Sequence, residues 1–133
     1  MSTEDREQGQ AMRTRVMGEA FVSRAMDNLD GFSRPLQNWL NAHAWGSTWQ
    51  REGIDLRTRS LVTCAMLAAL GRSNELKGHV RGALNNGASV TELREVLLHV
   101  AVYAGAPAAV EAFRCAREVL AEMGVPLPDD DEA

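Results

Sequence analysis

The chain has 133 residues, 45% of them apolar and 24% charged, and a formal net charge of −4. This is enough for one domain, residues 1–133, with its own core and with 1–9 and 126–133 as flexible ends. Lys and Arg are scattered rather than gathered in a stripe, so no nucleic-acid partner is expected. No apolar run approaches the roughly 18 residues of a membrane span, and the acidic, polar start MSTEDREQGQ is unlike a signal peptide, so a cytoplasmic location is expected.

Strand signals are nearly absent and apolar residues recur at three and four. In GQAMRTRVMGEAFVSRAMDNL, the residues Met12, Val16, Met17, Ala20, Phe21, Ala25 and Met26 form one stripe, which predicts a first helix. After the turn DGFSRP, Ser33 is placed to cap and Pro35 to open a second, PLQNWLNAHAWGSTW. Asp55 can cap a third, LRTRSLVTCAMLAALG, apolar on nearly every side and stopped at Gly71. A short fourth helix follows in NELKGHVRGALNNG, with Ser73 as its cap and Gly87 at its end. SVTELREVLLHVAVYAG opens on the box-like pair Ser89 and Glu92, and PAAVEAFRCAREVLAEMG completes an all-α bundle of about six helices. The segments Leu61 to Leu70 and Val96 to Tyr103 carry more apolar surface than one bundle covers, which predicts an oligomer.

The cysteines, Cys64 and Cys115, lie far apart in apolar helical stretches and read as buried core residues. His43, His79 and His99 have no short metal-ligand spacing, so no metal site is expected.

The chemistry concentrates in the fourth helix. Glu75 and His79 are four apart on one face, where a carboxylate can fix the tautomer of an imidazole and raise its pKa; the same spacing also suits a plain solvated pair. Arg72 precedes the helix, where its charge and the first-turn N–H groups can meet an anion, and Arg57 and Arg59 lie near the start of the central helix. Those arginines serve equally as surface charges. Trp45 and Trp49, four apart in AHAWGSTW, suit packing or a ligand wall, and the hydroxyl of Tyr103 requires a partner. His99 reads as a core or interface histidine, and Asn85 and Asn86 as turn residues.

Taken in order, AWGSTW, DLRTRSLVT, ELKGHVRGALNNG and EVLLHVAVYAGAPAA resemble the carboxymuconolactone decarboxylase family from about Met12 to Met123. The resemblance implies an alkylhydroperoxidase-like all-α subunit in a homotrimer or homohexamer. The wider superfamily includes thiol peroxidases with Cys-x-x-Cys, three residues, then His. Here His79 falls on that histidine, but Arg72 and Glu75 stand at the cysteine positions and Ser60 at the acid, so thiol redox chemistry is disfavoured.

The implied reaction is loss of CO2 from 4-carboxymuconolactone, a small-molecule lactone carboxylate, giving the enol-lactone of β-ketoadipate in aromatic-acid catabolism. No cofactor is expected, because the unsaturated lactone is its own electron sink. In that reading His79 donates a proton or stabilises the oxyanion and Glu75 orients it. Arg72 or Arg59 holds a carboxylate, and Trp45 and Tyr103 wall the site. A related carboxylated ring as substrate, or a non-catalytic oligomer that binds a partner through AWGSTW, are the competing expectations.

Overall fold

A computed structural model describes residues 2–130, mostly in helices joined by short connections and followed by an extended stretch 125–130, with no strand among the described residues. The chain forms two compact units, one running to Leu56 and one starting at Arg57.

The first unit holds α1 (Thr3–Met17), α2 (Glu19–Asp27), α3 (Arg34–Trp39), a π-helical stretch Leu40–Trp45 and a 3-10 turn Thr48–Gln50. The stripe expected as one helix is thus two. Gly18 divides them at φ 94° and ψ 153°, a conformation that side chains with a Cβ avoid. The chain is helical from Thr3, where Ser2 and Asp5 form a reciprocal capping box. Ser33 does not cap α3 as expected. The Asp30 carboxylate accepts from the backbone N–H of Phe32 and Ser33, and the Ser33 hydroxyl accepts from the N–H of Asp30. A carboxylate is the stronger local acceptor, and it closes the turn before the helix begins.

Val16, Met17, Val22, Trp45 and Trp49 form this unit's core, and the two indoles stack 4.7 Å apart at 19°. The backbone of α1 lies directly on the π-helical stretch: a Cβ on Gly9 would fall 1.5 Å from the carbonyl oxygen of Asn41, so only glycine permits the approach.

The second unit is built from α4 (Leu56–Leu70), whose first residue closes the first unit, with α5 (Ser73–Asn85), α6 (Val90–Ala104) and α7 (Ala106–Glu122). Its core draws Cys64 and Ala68 from α4, Leu76, Val80 and Ala83 from α5, Leu93, Leu97 and Val100 from α6, and Ala112, Cys115, Ala116 and Val119 from α7. Burying each of its leucines stabilises the unit by roughly 1.5–3 kcal/mol. Both cysteines are fully buried and free, as expected.

The expected ends are present. Gly71 and Gly87 take positive φ after α4 and α5, and the following N–H groups of Arg72 and Ala88 reach back to Leu67 and Ala83. Ser89 and Glu92 form the expected capping box on α6. No helix among the described residues is long and apolar enough to cross a membrane.

Candidate active site

Three faces of α5 have three different neighbours. Leu76, Val80 and Ala83 point into the core of the second unit. A second face is tied to α7 by a polar ladder with a four-residue step: the Ser73 hydroxyl donates to Glu111 (3.0 Å), Lys77 pairs with Glu118 (3.1 Å) and Arg81 pairs with Glu122 (2.9 Å). Ser73, expected to cap α5, is instead its first residue, and its side chain is taken by this long-range acceptor. The third face carries Glu75, His79 and Asn86, spaced by four and seven residues and therefore aligned. Asn86 donates to the hydroxyl of Ser60 on α4 across 2.9 Å.

His79 is half-buried and its Nδ1 is shut off from solvent. Glu75, one turn nearer the helix start, is exposed. The pair therefore presents a carboxylate at the rim and an imidazole sunk beside it. The first-turn position of Glu75 also suits a negative charge.

The predicted arginines have different settings. Arg72 is exposed at the N-cap of α5 and edges a recess of about 30 Å³ with Ser73, Leu76 and Glu111, room for a water rather than a substrate. Arg59 on α4 is half-buried, with its Nε closed off from solvent. Arg57 is engaged, pairing with Glu92 at 2.6 Å. Of the cations near α5, Arg59 has the drier setting that strengthens a contact with a carboxylate.

Tyr103 and His99 are not core residues. Tyr103 is 81% exposed, and its ring lies 5.0 Å from that of His99, itself exposed on α6. Both line a broad apolar groove of about 890 Å³ between α4 and α6, which His79 and Glu75 do not line. The open side carries the surplus apolar surface expected of Leu61 to Leu70 and Val96 to Tyr103. Trp45 belongs to the core of the first unit, stacked on Trp49, where packing holds it.

Cysteine chemistry is disfavoured by burial as well as by spacing: desolvation pushes the Cys64 thiol up to about 12, far from a reactive thiolate. Glu111 is held down at about 2, first by the hydrogen bond from Arg114 and then by that from Ser73.

Sequence reasoning overlooked Arg13. It is buried within the first unit, its Nη1 donates to Gln37 (2.8 Å) and to the buried Asn41 (3.2 Å), and its guanidinium sits over the ring of Phe21. Burial lowers its pKa. A basic residue inside an apolar stripe leaves no mark on helical periodicity, and the one available signal was its place beside Met12 and Val16.

Comparison with known proteins adds the missing context. Residues 34–118 match the model of the carboxymuconolactone decarboxylase family. A 4-carboxymuconolactone decarboxylase of Acinetobacter baylyi is 45% identical over 126 residues, which is 94% of each chain. Nitrosuccinic acid decarboxylase of Metarhizium robertsii is 38% identical over 117 residues, 88% of this chain and 82% of that one. An uncharacterized 15.0 kDa protein of Paracoccus denitrificans is 34% identical over 108 residues, 78% of this chain and 77% of its own.

Proposed function

We propose a reaction from one established premise, that the chain belongs to the carboxymuconolactone decarboxylase family: it removes CO2 from 4-carboxymuconolactone to give the enol-lactone of β-ketoadipate. The observation that carries this reading is the 45% identity to a 4-carboxymuconolactone decarboxylase along nearly the whole of both chains. The α5 face supports it, because it offers a half-buried imidazole beside a rim carboxylate.

The chemistry sets what the residues must do. When the C–C bond to the departing carboxylate breaks, its electron pair enters the ring, moves through the double bond and comes to rest on the lactone carbonyl oxygen as a dienolate. Return of one proton to the ring carbon beside that carbonyl completes the product. His79 supplies that proton or a hydrogen bond to the oxyanion, and its half-buried setting strengthens either role. Glu75 sits one turn away, within reach of the imidazole after a rotamer change. Arg59 or Arg72 grips the retained carboxylate, Arg59 being the drier of the two.

The nitrosuccinic acid decarboxylase supports a second reading, in which the same fold acts on a different carboxylate whose electrons a neighbouring group accepts. A nitro group fills the part played by the lactone carbonyl. Comparing kcat/KM for 4-carboxymuconolactone and nitrosuccinate separates the two. The lactone reading requires a preference of about 100-fold or more for the lactone, roughly 3 kcal/mol in transition-state binding, and a reversed preference would replace it.

The working form is a cytoplasmic homo-oligomer, a trimer or hexamer. Val62, Met66 and Leu70 on α4 and Leu98, Val102 and Tyr103 on α6 leave their large apolar side chains exposed, and covering such stripes is what association achieves. Light scattering of the intact protein should give a mass of three or six chains, and Met66→Glu with Val102→Glu should reduce it. A wild-type monomer would refute this assembly.

A further inference from the structure

We infer that the hydrogen bond between Ser60 and Asn86 is a positioning pair for the α5 face that carries Glu75 and His79, setting its height above α4. The inference rests on the proposed role of that face and adds two residues that do not themselves meet substrate. Ser60 is fully buried, and its oxygen accepts from Asn86 at 2.9 Å. Asn86 is seven residues beyond His79 and eleven beyond Glu75, close to two and three whole turns, so the tie lies along the same edge of the helix as the reacting groups.

Two other holds on α5 act on other faces of the helix. The Ser73, Lys77 and Arg81 ladder pulls toward α7, and Leu76, Val80 and Ala83 pack into the core. The tie of the buried Ser60 hydroxyl to the Asn86 amide acts on the α4 side; it is directional, and its loss leaves a polar group in the core. Roll of the helix about its own axis is the motion that would carry the His79 ring along an arc, and misplacement of about 1 Å costs on the order of 100-fold in rate.

The test combines turnover with a readout that needs no substrate. Ser60→Ala and Asn86→Ala are each expected to lower kcat by about tenfold with KM within about twofold, and the double variant to be no worse than either single one. Ser60→Thr, which keeps the hydroxyl, should recover most of the rate. Arg81→Ala, which breaks a tie on the α7 side, should lower Tm and leave kcat unchanged. In parallel, the ring carbon–proton NMR signal of His79, assigned by its loss in His79→Gln, should shift in Ser60→Ala and Asn86→Ala and stay in place in Arg81→Ala. If Ser60→Ala fails to fold, Asn86→Ala at the helix end carries the same comparison. A wild type inactive on the lactone, with the His79 signal still moved by both variants, would reject the proposed reaction and keep the positioning pair. Unchanged kcat together with an unmoved His79 signal would overturn the pair.

Discussion

Cys64 allows a prediction that bears on chemistry and stability together. Its thiol is fully buried among apolar side chains, and desolvation raises it from 9.0 to about 12. A group with a raised folded pKa contributes its stability below the unfolded value and loses it as pH climbs toward the folded one. The window therefore opens near pH 9 and closes near pH 12. At one pKa unit per 1.36 kcal/mol, the unfolded chain gains about 2 kcal/mol from ionising this cysteine by pH 10.5, and about 4 kcal/mol by pH 12. Urea unfolding at pH 8 and pH 10.5 measures the difference in the wild type and in Cys64→Ala. The variant starts from lower stability because it leaves a small cavity, so the comparison is of the two pH dependences. The wild type should lose about 2 kcal/mol more over that interval than Cys64→Ala. Equal losses would refute the burial of a neutral thiol and reopen thiolate chemistry at this position.

Three further expectations follow from the geometry. His79→Gln should lower kcat on the lactone by about 10²–10⁴ with little change in Tm, because His79 lies outside the core cluster; turnover within threefold of wild type would remove His79 from the reaction. Glu111, held at about 2 by Arg114 and Ser73, should stabilise the α5–α7 junction above the ordinary glutamate range and lose that contribution as pH falls from 4.5 toward 2. Thermal unfolding between pH 6 and pH 3 should accordingly fall more steeply in wild type than in Glu111→Gln, and parallel curves would contradict it. Asn41→Leu removes an acceptor from the buried Arg13 and should cost roughly 2 kcal/mol in urea unfolding, most of it regained on adding Arg13→Met; a neutral single variant would show that Arg13 does not depend on that bond.

What the sequence disclosed was what local chemistry decides. The glycine stops after α4 and α5, the Ser89 and Glu92 box and the burial of both cysteines all follow from neighbours within a turn or two, and the structure has them. The departures have non-local or finely balanced causes. Ser73 looks like a cap until Glu111, thirty-eight positions away, takes its hydroxyl. Gly18 within an apolar stripe costs only about 1 kcal/mol as a helical residue, so pattern alone does not show that the chain turns there. The surplus apolar surface of Val96 to Tyr103 was readable from composition, but which residues of α6 face outward was not, since an apolar helix looks the same whether its last face meets its own chain or another surface. At the candidate site, the shared face of Glu75 and His79 was readable from spacing. The pairing of Asn86 with Ser60 was not, because it joins two helices through side chains twenty-six positions apart.

The most direct test of the proposed reaction is to incubate the purified protein with 4-carboxymuconolactone in D2O with a metal chelator and no added cofactor, following released CO2 and the product by NMR. The account predicts one CO2 per lactone consumed and one deuteron on the ring carbon beside the lactone carbonyl. Loss of lactone at the uncatalysed rate, or turnover that stops when the chelator is added, would contradict it.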